Sequence, residues 1–299
     1  MPDTLVTASD ADAGIAFFAA VTTELVSEIR DRHDLWPTAA AAAGRLATGA
    51  VLFGAALKGD ERISLQITAD GPLRSLAADA WLLRDGAIGA RSYVANGRVD
   101  LPVDERGKFN VGAAVGSGSL QVTRSRSLGQ PYVGVVELHS GEIAEDLALY
   151  LAQSEQVPSV VALGVLADPG GIVAAGGILA QALPGARDRA LSALEERARS
   201  LPPVTQLVAE HRDASALLHA IAGDAALRSM QSLEVRFACR CSREKVEGLL
   251  AGLGREELLA MARERGHAEA TCEYCKTRYE IALEPLLRQN ANETARSDR

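Results

Sequence analysis

The four cysteines of the chain are the residues best suited to chemistry, and all of them lie near its C-terminus. They form two close pairs, Cys239-Arg240-Cys241 and, after thirty intervening residues, Cys272-Glu273-Tyr274-Cys275. Two such pairs can place four sulfur atoms at the corners of a tetrahedron around Zn²⁺, with Zn–S distances of about 2.3 Å. Because no cysteine remains that would leave a coordination position open, the pattern predicts a closed structural or regulatory site with one Zn²⁺ per chain.

Two disulfide bonds in a secreted module are the main alternative for four cysteines. The first fourteen residues carry Asp3, Asp10 and Asp12, and they lack the basic region, apolar region and cleavage site of a signal peptide. We therefore expect a reducing cytoplasm, where clustered cysteines more often bind metals or take part in redox chemistry. His267 is near enough to Cys272 to replace a ligand, but four thiolates already fill the site, so we expect this histidine at the surface.

Six short segments carry a resemblance to a known protein family. They are Asp70-Gly71-Pro72-Leu73, Ser154-Glu155-Gln156-Val157-Pro158, Ala174-Ala175-Gly176-Gly177-Ile178-Leu179, Phe237-Ala238-Cys239-Arg240-Cys241-Ser242-Arg243-Glu244, Glu256-Glu257-Leu258 and Cys272-Glu273-Tyr274-Cys275. Over nearly its whole length the chain resembles the redox-regulated heat-shock holdase family of about thirty-three kilodaltons, the 33 kDa chaperonin family. The resemblance is loosest in the first thirty-five residues.

The resemblance implies a function and a mechanism. Members of this family are ATP-independent holdase chaperones and not enzymes, and the chain contains no nucleotide-binding motif that would argue otherwise. The resemblance implies that oxidation pairs Cys239 with Cys241 and Cys272 with Cys275, releases zinc, and unfolds the C-terminal module and the preceding linker. Apolar surface from about residues 187–232 and the adjoining domain would then bind unfolding client proteins, with the activated protein a homodimer.

Composition and charge argue against several other classes of protein. The 299 residues are 47% hydrophobic and 23% charged, which is ordinary for a globular protein with one large domain or two unequal ones. The net charge of −8 disfavours binding to nucleic acid through overall charge. In the cysteine module, residues 233–290, ten basic side chains are balanced by ten acidic ones, which argues against a zinc-stabilised nucleic-acid-binding module. No apolar run is long and uninterrupted enough for a membrane span, so we expect a soluble protein.

The elements upstream of the cysteines predict a large α+β domain with a sandwich-like architecture and a mixed or antiparallel sheet. After Pro37, the alanine-rich run of residues 38–57 predicts a long buried helix, in which Gly44 and Gly49 would allow close packing. A second helix is predicted by the spacing of Ile143, Leu147, Tyr150 and Leu151. Strands are predicted at residues 62–68, 90–94, 120–123, 132–138, 160–166 and 171–182. Strands in groups, with helices between the groups, are typical of the α+β class.

Residues 187–232 predict a helical linker between this domain and the cysteine module. Residues 186–200 place a narrow apolar stripe around Leu191 and Leu194, Pro202-Pro203 ends that helix, and residues 204–222 form a second helical stretch. Helices this short are stable only when docked. The linker is therefore either a rigid connector or a metastable segment that can detach. The predicted division is a core domain at 1–186, a linker at 187–232 and a zinc-binding redox-switch domain at 233–299.

The cysteine module itself favours the metastable interpretation. A core of its size contributes about 3 to 5 kcal/mol, whereas a structural zinc ion contributes apparent binding energies of about 10 to 16 kcal/mol. Thiolates are also the form of cysteine that reacts with peroxide and hypochlorite. Oxidation would thus consume the metal ligands and unfold the module. The enzyme alternative is a thiol-disulfide oxidoreductase that uses Cys272 and Cys275, although this pair follows the linker and does not lie at an early strand-to-helix junction.

Overall fold

The computed structural model describes residues 2–105 and 107–288. The chain forms two compact units, Met1–Ala238 and Cys239–Arg299. The larger unit thus contains the predicted linker and also the first six residues, 233–238, of the predicted zinc domain. Residues 289–299, the C-terminal part of that predicted domain, lie outside the described residues.

A single large sheet forms the centre of the larger unit. Within the described residues its strands are β1 Thr4–Asp10, β2 Ile15–Val21, β3 Arg62–Ala69, β4 Ser75–Leu82, β5 Ile88–Val94, β6 Gly118–Ser125, β7 Tyr132–Glu137, β8 Ser159–Asp168, β9 Gly171–Ala182 and β10 Arg228–Phe237. Their order across the sheet is β7-β6-β3-β4-β5-β10-β1-β2-β9-β8. The pairs are antiparallel except for β5 and β10, which are parallel. The predicted α+β class and mixed sheet are confirmed.

Helices cover this sheet on both faces. They are α1 Thr23–His33, α2 Pro37–Gly54, α3 Val111–Val115, α4 Ala144–Gln153, α5 Asp188–Ser200, α6 Val204–His211 and α7 Ala214–Ala222. Every residue of α2 after Pro37 is buried. A Cβ atom on Gly44 would lie 2.6 Å from Val26 Cγ1, and one on Gly49 would lie 2.5 Å from Leu147 Cδ1, so both glycines permit the predicted close packing. Among the described residues, no helix has the length and apolar character needed to cross a membrane.

Strands β1 and β2 are buried on both faces because a separate apolar cluster packs against each face. Leu5 and Ala20 face the main core, which contains α1, α2 and α4. The neighbouring residues Val6, Phe17 and Ala19 face a second cluster, which contains α6 and α7. We call this second surface the covered face; it comprises Val6, Ala8, Ile15, Phe17, Ala19, Val21, Ala174, Ile178 and Ala180. The predicted linker therefore lies over apolar sheet residues that would otherwise meet solvent.

The linker contains three helices, α5 to α7, where two helical stretches were expected. The second predicted stretch is interrupted at Arg212, which adopts a left-handed backbone conformation with φ of 49°. Asp213 then begins α7, and its Oδ1 accepts a hydrogen bond from Ser215 N at 2.9 Å. Leu217 and Leu218 of α7 are fully buried against the covered face. Each helix is short, so its stability depends on this docking.

The side chain of Arg197 joins two of the linker helices. From α5, its Nη1 donates hydrogen bonds to the carbonyl oxygens of Ile221 at 3.2 Å and Ala222 at 2.5 Å, at the C-terminus of α7. These carbonyls have no partner within α7, and a cation there also interacts favourably with the helix dipole. Arg197 therefore holds the C-terminal end of α7 in place.

Replacing Arg197 by alanine should loosen the linker without touching its apolar contacts. Loss of the charged hydrogen bonds should lower the stability of the docked helices by about 1.5 to 3 kcal/mol, so limited proteolysis of the reduced protein should cleave residues 187–227 faster. Arg199→Ala is the matched control, because Arg199 makes an exposed ion pair with Glu195 at 3.6 Å, a type of pair that contributes about 0.5 kcal/mol or less. Equal cleavage rates in the two variants would contradict the role of Arg197.

The smaller unit has a limited apolar core. Its elements are α8 Arg243–Ala251, α9 Arg255–Arg265, β11 His267–Thr271 and β12 Arg278–Ala282, and β11 pairs with β12 as an antiparallel hairpin. Among the described residues, its buried apolar cluster consists of Leu258, Ala268, Ile281, Leu283 and Leu286. Most of α8 and α9 is exposed, since α8 has no buried residue and α9 buries Leu258 alone. This core is small enough that the unit needs a further source of stability.

Candidate metal centre

Cys239 and Cys241 lie in the short segment between β10 and α8. Strand β10 ends at Phe237, and Ser242 forms the N-cap of α8, its Oγ accepting a hydrogen bond from Lys245 N at 3.3 Å. The two cysteines therefore lie just before the capped N-terminus of α8, outside any helix or strand.

Cys272 and Cys275 lie in the tight turn between β11 and β12. Cys272 N donates a hydrogen bond to Thr277 O at 3.0 Å, and Lys276 N donates one to Cys272 O at 2.9 Å. Lys276 takes a left-handed backbone conformation with φ of 56°, which lets the chain reverse directly after Cys275. The hairpin thus presents its two cysteines from one compact turn, and Cys275 is buried with 5% exposure.

The structure brings all four predicted ligands together. The four Sγ atoms lie within 4.8 Å of one another. Cys239 Sγ is 3.7 Å from Cys272 Sγ, and Cys241 Sγ is 3.3 Å from Cys275 Sγ. A tetrahedral site with Zn–S bonds of about 2.3 Å has sulfur–sulfur edges of about 3.8 Å, whereas a disulfide requires about 2.05 Å. The cysteines are therefore not joined by disulfide bonds, and their sulfur atoms are spaced so that they could hold a metal ion.

The electrostatics of the cluster also favour a cation. Burial raises the pKa of Cys241 to about 12, although the Tyr279 hydroxyl donates a hydrogen bond to its sulfur at 3.0 Å. Burial also raises the pKa of Cys275, but hydrogen bonds from Thr277 and the neighbouring thiols outweigh it and bring the pKa to about 6. The Cys275 thiol therefore loses its proton most easily, whereas the Cys241 thiol keeps its proton. Holding all four sulfurs as thiolates requires a positive charge at their centre.

Two further residues, which were not predicted from the sequence, contact the sulfurs. The Tyr279 hydroxyl reaches Cys241 Sγ, and Thr277 Oγ1 lies 3.2 Å from Cys275 Sγ. Both residues follow Cys275 closely in the sequence. If the cysteine pair is assumed to lie in a hairpin turn, these positions are expected near the sulfurs, so the two contacts could have been predicted in this way. His267 lies in β11, where its Nδ1 is 3.0 Å from Arg265 O, and it is not a member of the cluster, as expected.

The position of Cys272 and Cys275 is unlike that of a thioredoxin-type active site. In such enzymes the reactive cysteine is activated at the N-terminus of a helix. Here the pair lies between two strands, and Arg278 begins β12 directly after the turn. The hairpin is the arrangement expected for half of a four-cysteine metal site, so the oxidoreductase alternative gains no support from the geometry.

Comparison with known proteins gives a consistent result. The family model described as "Hsp33 protein" matches residues 3–282. A protein from Desulforamulus reducens named "33 kDa chaperonin" is 42% identical over 290 residues, which cover 96% of this chain and 97% of that protein. Its namesake from Symbiobacterium thermophilum is 44% identical over 289 residues, with the same coverage. The crystal structure of the 33 kDa chaperonin (heat shock protein 33 homolog) from Thermotoga maritima matches with a TM-score of 0.87 and 35% identity, over 98% of this chain and 100% of that one.

Proposed function

The chain belongs to the Hsp33 protein family, and from this membership we propose that it is an ATP-independent holdase chaperone regulated by the redox state of its cysteines. The observation that carries the proposal is the cluster of four cysteine thiols, without disulfide bonds, in a unit whose buried apolar core is small. A second observation supports it: the preceding linker helices lie over the covered face of the large sheet. A change at the cysteines can thus control the exposure of apolar surface.

In the reduced, inactive form, one Zn²⁺ per chain is the metal that best fits four thiolate ligands with these spacings. Cys239, Cys241, Cys272 and Cys275 would hold it, and it would supply the positive charge that the cluster lacks and much of the folding energy of the small unit. A reducing compartment such as the cytoplasm would keep the thiols in this state.

Oxidation removes the ligands. When two thiolates form one S–S bond they give up two electrons, which reduce one hydrogen peroxide molecule, together with two protons, to two water molecules. Two such steps, one joining Cys239 to Cys241 and one joining Cys272 to Cys275, use all four sulfurs. Without metal, the small unit retains only its limited apolar core and unfolds.

Unfolding of the small unit then leads to activation. The linker helices are short, and their buried leucines dock onto β1, β2 and β9. Release of these helices would expose both the covered face and the apolar side of the linker. Exposed apolar surface of this kind binds the apolar segments of unfolding proteins. We propose that these clients are the partners of the activated protein, that the activated state is a homodimer, and that neither nucleic acid nor membrane is a partner.

An aggregation assay tests this function. Full-length protein, either reduced and zinc-loaded or oxidised by hypochlorite or by peroxide under mild unfolding stress, is added to a thermally unfolding client without ATP. We expect the oxidised form alone to suppress light scattering.

Limited proteolysis should show new cleavage after Gly185, which lies in the exposed loop before α5. The chain before Gly185 should resist digestion, because it contains no cysteine. Equal suppression by both forms, or digestion unchanged after zinc loss, would contradict the proposal.

A further inference from the structure

Strand β10 occupies an unusual place in both the chain and the sheet. In the chain it lies between the linker helices and Cys239. In the sheet it is the strand that joins β5 to β1, so it connects the two antiparallel halves. A strand at the centre of a sheet is therefore flanked in sequence by the two segments that the proposed function expects to unfold.

The side chains of β10 contribute little to the core. Of its ten residues, Val235 alone is buried. Leu233 and Phe237 are partly buried against the same core, while the residues between them, Glu234 and Arg236, point their charged groups towards solvent. The strand is held mainly by main-chain pairing.

The main-chain pairing of β10 differs on its two sides. With β1 it is antiparallel, from Thr4 opposite Glu234 to Ser9 opposite Arg228. With β5 it is parallel and short, since Val235, Arg236 and Phe237 face Ile88, Gly89 and Ala90. Two side-chain contacts reinforce the pairing of β10 with β5. Arg236 forms an ion pair with Asp85, and the guanidinium carbon of Arg32 lies 4.6 Å from the centre of the Phe237 ring.

We propose that β10 leaves the sheet when the protein is oxidised, and that the slot between β1 and β5 accepts an extended segment of a client protein in its place. This inference rests on the proposed holdase function and specifies one of its binding surfaces. Loss of structure on both sides would leave β10 attached by its own contacts alone. Its departure would expose the main-chain groups of β1 and β5, which form a template for another strand.

The slot defines the chemistry of its occupant. Affinity comes from main-chain hydrogen bonds, such as the one that Val235 N donates to Asp3 O at 2.9 Å. The side-chain requirement is limited to apolar residues at alternate positions, equivalent to Leu233, Val235 and Phe237. Such alternation is common in the strands of unrelated proteins. The slot would therefore accept many unfolded chains in the direction of β10, but not a segment with proline at the position of Val235.

Amide hydrogen exchange on the full-length protein is the first test. On oxidation, protection of the amides in β10 should fall by about two orders of magnitude or more, and the amides of β1 and β5 that face β10 should lose protection with them. Adding a thermally unfolding client should then restore protection at residues 4–7 and 88–90. The amides of β3, which has the same neighbours in every state, serve as the internal control.

A peptide probe provides the second test. A labelled peptide with the sequence of Arg228–Phe237 should bind the oxidised protein and compete with client, while the reduced protein should not bind it. The same peptide with Val235→Pro lacks the donor to Asp3 O and should bind at least about tenfold more weakly. Equal binding of the two peptides would overturn the slot as the binding surface.

The outcomes separate this inference from the proposed function. If oxidised protein suppresses aggregation while β10 stays protected, the function stands and the slot is refuted. If β10 is released but client leaves β1 and β5 unprotected, client occupancy is refuted. If β1 and β5 regain protection in an oxidised dimer without client, a second copy of the chain occupies the slot and the client proposal is overturned. If oxidised protein never suppresses aggregation, the function itself is refuted.

Discussion

Replacing Cys272 by serine is expected to abolish stable metal binding and to unfold the small unit. The reduced native protein should retain about one zinc per chain through dialysis against a mild chelator, and the variant should retain almost none. The effect should be large, because structural zinc contributes apparent binding energies of about 10 to 16 kcal/mol. The buried core of the small unit, Leu258, Ala268, Ile281, Leu283 and Leu286, is too small to replace that contribution.

Metal analysis and circular dichroism measure the two parts of this result, and Tyr279→Phe is the matched control. That variant removes the hydroxyl that donates to Cys241 Sγ at 3.0 Å but leaves all four sulfurs. It should keep one zinc per chain with affinity lowered by about 10- to 100-fold, as expected for a group that hydrogen-bonds to a ligand. Stoichiometric zinc that survived replacement of all four cysteines would show that the metal lies elsewhere.

The double substitution Leu217→Ser/Leu218→Ser is expected to activate the protein without oxidation. Both leucines are fully buried in α7, and each contributes about 1.5 to 3 kcal/mol through burial. Their combined loss exceeds what keeps so short a helix docked. The reduced, zinc-bound variant should therefore suppress aggregation of a thermally unfolding client to a level approaching that of the oxidised native protein.

This second prediction requires evidence that the linker has detached while the zinc site remains intact. Metal analysis should show one zinc per chain in the double variant, and proteolysis should show cleavage in the linker. Leu128→Ser/Leu249→Ser makes the same chemical change at leucines that are 88% and 75% exposed, and it should remain inactive when reduced. If the linker were cleaved readily while the reduced variant showed no holdase activity, the switch would have to act through another surface.

The elements that could be predicted from the sequence are those whose residue patterns are local. The cysteine cluster follows from spacing alone, and α2 and β3 follow from their composition and periodicity. Strand β2, with the sequence IAFFAAV, was missed because it is buried on both faces and so shows no alternation. Strand β10 was missed for the opposite reason, since most of its residues are exposed and polar.

The position of β10 also explains the difference at the domain boundary. The sequence placed the start of the zinc domain at Leu233 because the cysteine module follows there, but tertiary pairing with β1 and β5 extends the larger unit to Ala238. Long-range pairing of this kind leaves no local trace in the chain. The clustering of the four cysteines was predicted, whereas the contacts of Thr277 and Tyr279 with the sulfurs were not, because these contacts arise only once the hairpin closes.

The pairing of β1 with β10 also has a consequence for synthesis on the ribosome. Thr4 is made long before its strand partner Glu234, because most of the larger unit lies between them in the chain. Until then one edge of β1 has no neighbour, and the covered face lacks α6 and α7, which are also late. A nascent chain whose contacts are this distant in sequence folds slowly, and its apolar surface stays exposed until the later segments have been made. During its own translation, this protein would therefore need the protection from aggregation that we propose it later gives to others.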